Sequence, residues 1–305
     1  MVDLWIYAKP RISQQLLTFF NLVFYPFANS AISWYILVMD AKQQAKRQKV
    51  IARIQQFTLM DDDFMTVFFD NDIPRTEYVL RIIMENDALR VKSVKTQYGI
   101  KNLKGRSVRL DVRAEDDSGK VYDIEIQNAD SGAGARRARY NSALMDADAT
   151  VPKMDTETLP ETYVIFITAN DVMKGGLPLY HINRKVEETN EPFNDGAHII
   201  YVNGAYRNGK IGDLMHDFSC KKSADMKSAI LAEKVRHLKE DDKGVRKMCK
   251  IMEDFAVEER IEQLVQMLEE GIVTEEGLSR FSGITPEQVE KVLELYHRQK
   301  VAVQA

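Results

Sequence analysis

Cysteine is almost missing from this chain: Cys220 and Cys249 are the whole complement in 305 residues. Two thiols so far apart form neither a disulfide framework nor the paired ligand spacings of a zinc module, and they fit a reducing cytoplasm, each read as a small buried residue. Histidine is scarce too, with five scattered copies, and His181, His198 and His216 are read as structural residues rather than ligands. There is no P-loop, no glycine-rich dinucleotide turn, no G-x-S-x-G elbow and no H-E-x-x-H. Their absence removes the common nucleotide-binding, serine-hydrolase and zinc-protease chemistries. Nor does one charge dominate: the formal net charge is −4, so any affinity for a polyanion has to come from a local patch. Long apolar runs are rare as well. Only Ile12 to Met39 lacks a charged residue; Leu16 to Met39 is long enough to cross a bilayer, but Gln14, Gln15, Asn21, Pro26, Asn29 and Ser30 interrupt its character.

What the chain does contain is a globular composition, 45% hydrophobic and 29% charged, at a length that suits one sizeable core plus an appendage, or two domains. Its most informative stretch is a hairpin. Ser107 to Ala114 alternates, Asp116-Asp-Ser-Gly119 supplies turn residues, and Lys120 to Gln127 alternates again. Period-two geometry puts Asp123, Glu125 and Gln127 on one face, and strand pairing brings Asp111 beside Glu125. Two converging carboxylates suit Mg²⁺, which is held by one or two carboxylates together with substrate phosphate oxygens. Positive charge gathers around them. Eight Lys or Arg residues lie between Arg90 and Arg113 against the single acid Asp111, and Arg136, Arg137 and Arg139 follow. Arg136 and Tyr140, four apart on a helix, can face one phosphate run, whereas Arg137 and Arg139 can pair with sheet acids.

The remaining pattern predicts a helix over Thr76–Asn86, a strand over Val91–Thr96, the two hairpin arms, a helix over Gly134–Asp148 and a doubly buried strand over Tyr163–Thr168. Further strands are expected at Leu179–Ile182 and His198–Val202, and helices from Asp213 to Glu270. Thr274 to His297 outlines a helix-turn-helix, with Thr285 capping, Pro286 at the first helical position and Gln288 closing a capping box. Its second helix is acidic, which favours packing or homo-oligomer formation through these C-terminal helices over entry into a DNA groove.

Tyr98-Gly-Ile-Lys-Asn-Leu-Lys-Gly-Arg-Ser-Val-Arg-Leu-Asp111, Asp123-Ile-Glu-Ile-Gln127, Leu159-Pro-Glu-Thr-Tyr163 and Leu214-Met-His-Asp-Phe218 together resemble the PD-(D/E)XK nuclease family transposases, also called recombination-promoting nucleases (Rpn family). The resemblance runs from about Met60 to Glu253. It implies an α/β, restriction-endonuclease-like αβββαβ core with a mixed sheet, extended by C-terminal helices, and a Mg²⁺-dependent (alternatively Mn²⁺-dependent) endodeoxyribonuclease acting in recombination and mobile DNA. Carried over by residue, Asp111, Glu125 and the main-chain carbonyl of Ile126 are expected to bind metal. Gln127 stands where the family usually has lysine, and Glu77 is the candidate helix acid. Arg109, Arg113, Arg136, Arg137, Arg139 and Tyr140 are expected to contact DNA. The expected division is a 1–59 extension, a 60–257 nuclease domain and a 258–305 helical module. The extension reads as functionless, as a membrane anchor or as a docking segment. The competing functions are a catalytically weak DNA-binding or interaction protein and a membrane-tethered nuclease.

Overall fold

The computed structural model describes residues 45, 47–102, 105–278 and 284–304. The chain divides into two compact units, Met1–Ala52 and Arg53–Ala305. In the first, the described residues are 45 and 47–52, all helical; the uncharged stretch from Ile12 to Met39 lies outside the described residues.

The second unit carries helices α1 (Asp62–Phe69) and α2 (Ile73–Ile83), then strands β1 (Val91–Ile100), β2 (Val108–Asp116) and β3 (Val121–Gln127). Helix α3 (Ala135–Ala149) leads to β4 (Thr162–Thr168), and β5 (Leu179–Ile182) and β6 (Ala197–Asn203) complete a six-stranded sheet of order β1-β2-β3-β4-β6-β5. The first three strands are antiparallel, β3, β4 and β6 run parallel, and β5 returns antiparallel on the edge. This is the mixed sheet expected, with α3 as the crossover that a parallel β3–β4 pair requires. β4, whose sequence is TYVIFIT, is buried along its whole length because it has strand neighbours on both sides and layers above and below.

The hairpin turn is held by one side chain. Asp116 Oδ1 accepts from the main-chain N–H of Ser118 (2.9 Å) and Lys120 (3.0 Å), Oδ2 accepts from the Tyr122 hydroxyl (2.8 Å), and Gly119 sits at φ +84°, where a side chain would be strained. Helix α1 was not anticipated. Its eight residues end in an apolar run, Val67-Phe68-Phe69, too short to show helical periodicity. Helix α2 starts three residues earlier than the pattern suggests, because Asp72 caps Arg75 N at 3.1 Å, and it stops at Ile83, before Glu85 turns left-handed at φ 51°.

The expected boundary at 59/60 is displaced towards the N-terminus. Ile54, Phe57 and Leu59 are buried in the core of the second unit, and Phe57 stacks on Phe64 with centroids 6.1 Å apart. The buried Lys239 ammonium donates to the carbonyls of Phe57 and, at 2.6 Å, Lys221, with the Phe64 ring 5.0 Å away. Burial pushes Lys239 down to about 8. At the other end, α4 (Gly209–Ser219) and α5 (Ala229–Lys239) precede α6 (Asp242–Glu269), which runs unbroken through residues 257 and 258. Beyond it α7 (Glu275–Leu278) and α8 (Pro286–Gln304) close a separate small core of Ile261, Leu264, Val265, Leu268, Leu278, Val292 and Tyr296. The capping box is formed in both directions: Gln288 N donates to Thr285 Oγ1 (3.3 Å) and Thr285 N to Gln288 Oε1 (3.0 Å).

Because Phe57 fills core volume, Phe57→Ala is expected to cost about 3–5 kcal/mol. A urea midpoint equal to that of the wild type would return residues 53–59 to the extension.

Candidate active site

The pairing of β2 with β3 stops at Val112–Ile124. One step further in the same register Asp111 faces Glu125, and the two strands part. Ile126, which would oppose Leu110, instead donates its main-chain N–H to Asp111 Oδ2 at 3.0 Å. A side chain thus replaces a ladder bond, and the parting strands open one wall of a cleft of about 930 Å³. Asp62, Arg106, Arg109, Asp111, Ile126, Gln127, Arg136, Arg137, Tyr140 and Asn141 are among its lining residues.

Glu125 is fully buried on the face covered by α3. Its Oε1 accepts from Asn141 Nδ2 (3.2 Å), while Oε2 is ion-paired with Arg137 and accepts from Gln127 Nε2 at 3.5 Å. Arg137 also donates to Gln127 Oε1 (3.3 Å) and the Gly132 carbonyl (3.2 Å). The Gln127 amide is therefore held at both ends. Gly132 is needed for this: a Cβ there would lie 1.9 Å from Gln127 Oε1. The same Asn141 amide donates to Asp123 Oδ2 at 3.1 Å, and Asp123 Oδ1 is buried with no donor facing it. Burial first, then the Glu125 charge, hold Asp123 well above the usual carboxylate range.

Electrostatically Asp111, Glu125 and Asp62 crowd together, and of the nearby arginines Arg137 pairs with Glu125 rather than with Asp111. Asp111 is raised to about 7 by burial and then by Glu125, and the Asp62 charge adds to this. Glu125 is raised as well, by burial, against the opposing pull of Arg137. Like charges this close are what a divalent cation relieves, and the available donors are hard carboxylate oxygens beside the exposed end of a strand. The residues present fit Mg²⁺ or Mn²⁺.

Of the residues expected here, Asp111, Glu125, Ile126, Gln127, Arg109, Arg136, Arg137 and Tyr140 are brought together. Tyr140 is anchored, its hydroxyl donating to the Arg106 carbonyl and accepting from Asn102 Nδ2 at 3.0 Å. Arg113 lies outside the cleft lining, its guanidinium 5.0 Å over the Tyr98 ring, and the exposed Arg139 is not among the lining residues. Glu77 is not brought to the cleft either. It accepts Val91 N–H at 2.9 Å and pairs with Arg81 and Arg90, fastening α2 to the start of β1. The helix acid that does reach the cleft is Asp62, at the start of the unanticipated α1. Asp123 and Asn141 were also missed as members of the site. Their signals were the shared face with Glu125 and the four-residue spacing from Arg137.

With this geometry on the page, the comparisons with known proteins decide the family. The model of the PD-(D/E)XK nuclease family transposases matches residues 79–276, roughly two thirds of the chain. The chain belongs to that family. No curated protein and no solved structure matches it. The PD-(D/E)XK match covers all six strands and α3, so the hairpin acids and the arginine-bearing helix lie inside the matched segment, whereas α1 with Asp62 lies before it.

Since the folded chain keeps the Asp111 proton up to about 7 and the unfolded chain loses it near the ordinary aspartate value of 3.8, stability falls as pH rises through that window. Asp111→Asn, which keeps an acceptor for Ile126 N–H, is expected to raise metal-free stability at pH 8 by about 2 kcal/mol and to change it little at pH 4. Denaturant melts at the two pH values check this; an equal effect at both would remove the like-charge account.

Proposed function

We propose that this protein is a metal-dependent endodeoxyribonuclease of the cytoplasm that hydrolyses DNA phosphodiester bonds, within the nuclease and mobile-DNA role of its family. The observation that carries the reading is the juxtaposition of Asp111 and the buried Glu125 at the end of β-pairing, with Asp111 lining a cleft shared by Arg106, Arg109, Arg136 and Arg137. Asp111, Glu125 and the Ile126 carbonyl would hold Mg²⁺ or Mn²⁺. When bound, the metal supplies a water of lowered pKa and stabilises charge on the phosphoryl oxygens.

The chain's own side chains do the positioning. Arg109 and Arg136, which line the cleft, would meet phosphate oxygens, and Arg137 balances Glu125. Gln127 has no charge and no basic nitrogen at neutral pH, so its contribution is to orient a water through an amide already fixed by Arg137 and Glu125. Asp123 shares the Asn141 amide with Glu125, and that amide keeps the Glu125 carboxylate aligned. One specific observation favours a runner-up reading, a catalytically weak DNA-binding protein: both Glu125 oxygens already have protein partners, and glutamine stands where the family usually has lysine.

A plasmid-nicking assay decides between them. Cleavage is expected in Mg²⁺ or Mn²⁺, none in EDTA, and a loss of 100-fold or more in Asp111→Ala and in Glu125→Ala, with both variants folded. DNA binding without metal-dependent nicking would leave the weaker reading. Separately, Arg109→Gln with Arg136→Gln should lower DNA affinity and reduce the slope of log affinity against log salt by about 2, whereas Arg139→Gln should leave that slope nearly unchanged.

A further inference from the structure

His216, Asp217 and Cys220 bring an imidazole nitrogen, a carboxylate oxygen and a thiol sulfur within 4.8 Å of one another, at the end of α4 and far in sequence from the nuclease hairpin. We propose that these three residues form a zinc site that ties the end of α4 to the start of α5.

Two of the three separations already match that ion, and the third, between the Asp217 carboxylate and the Cys220 sulfur, is within 4.8 Å. Zinc bonds of about 2.3 Å to sulfur and about 2.0–2.2 Å to nitrogen or oxygen hold tetrahedral donors roughly 3.3–3.6 Å apart. His216 Nδ1 lies 3.3 Å from Asp217 Oδ1 and 3.6 Å from Cys220 Sγ. A main-chain oxygen, that of Asp225, is 3.6 Å from the same sulfur and can stand as a fourth donor or share that position with water. The mixture of sulfur, nitrogen and oxygen selects a borderline-soft cation over Mg²⁺.

The most buried of the three is also the most firmly oriented. Asp217 is fully buried, and its two oxygens accept main-chain N–H groups from Lys227 (2.7 Å) and Ser228 (2.8 Å), the residues that lead into α5. Each carboxylate oxygen keeps a second lone pair, and outer hydrogen bonds of this kind fix a metal ligand in place. The His216 side chain is 38% exposed, so the ion reaches the site from solvent. Cys220 binds as thiolate, its S–H bond giving way to an S–Zn bond while the proton leaves to solvent.

The test uses the full chain, loaded with Zn²⁺ and dialysed, and with Co²⁺ as a spectroscopic substitute. About one Zn²⁺ per chain is expected in the wild type, in Cys249→Ser and in Asp111→Ala, with a thiolate-to-cobalt charge-transfer band in all three. Cys220→Ser should lose the band, and His216→Ala, a change at a half-exposed side chain, should bind at least 10-fold more weakly. Zinc should raise the melting temperature of the wild type and leave that of Cys220→Ser unmoved. A wild type that retains no zinc, or a cobalt band that survives in Cys220→Ser, overturns the proposal. So does zinc that disappears with Asp111→Ala, since the ion would then belong to the hairpin acids. Failure here leaves the nuclease reading untouched, because that reading stands on Mg²⁺-dependent cleavage.

Discussion

The hydrogen bond from Ile126 N–H to Asp111 Oδ2 is the contact on which the rest of the site depends. A strand N–H that loses its ladder partner has to find another acceptor, and here the acceptor is a carboxylate. That exchange lets β2 and β3 part without an orphaned donor, and it pins Asp111 against Glu125. Burial and the Glu125 charge then raise the proton affinity of Asp111, while burial raises that of Glu125 against the pull of Arg137. The protein leaves that repulsion only partly relieved: Arg137 meets Glu125, but no hydrogen bond or ion pair joins any described cation to Asp111. A site left short of positive charge in this way is prepared for a divalent ion.

The surrounding fold keeps the crowding in place. Asp116 locks the hairpin turn and so sets the register that makes Asp111 and Glu125 face each other at the open end, nine positions of chain after the turn residue. The β3–α3–β4 crossover lays Arg137 and Asn141 over the acidic face of β3. Asn141 holds Asp123 and Glu125 through a single amide. Burial and the Glu125 charge hold Asp123 above the usual carboxylate range, and in the layer beneath α3 Glu125 is ion-paired with Arg137.

Much of this was legible in the sequence because it rests on period-two alternation and on turn residues with fixed chemistry. The hairpin, the Asp111–Glu125 pairing, the bounds of β5 and the Thr285–Gln288 capping box all follow from such local rules. What escaped is tertiary. Glu77 was the natural helix acid as long as α2 was taken as the first helix, but it is spent on Val91, Arg81 and Arg90, and the eight-residue α1 brings Asp62 instead. Nothing local distinguishes Phe57 as a core residue from the apolar stretch before it; its partners are tertiary, the Phe64 ring on α1 and the Lys239 ammonium at its carbonyl. Arg113 alternates correctly for the hairpin, yet its cation goes to the Tyr98 ring rather than to the cleft. The His216-Asp217-x-x-Cys220 run has a single cysteine and matches none of the paired-cysteine spacings of a zinc module, so the cluster emerges only where the end of α4 folds its three side chains together.

The central claim, that Asp111 and Glu125 form a metal centre, is tested most directly by iron-directed cleavage of the polypeptide itself. Fe²⁺ with ascorbate and peroxide generates radicals at the bound ion, and mass spectrometry locates the main-chain cuts. The account predicts cuts clustered around Asp111 on β2 and around Glu125 to Gln127 on β3, suppressed by excess Mg²⁺ and absent in Asp111→Ala. Cuts that avoid both strands, or that persist unchanged in Asp111→Ala, would contradict it.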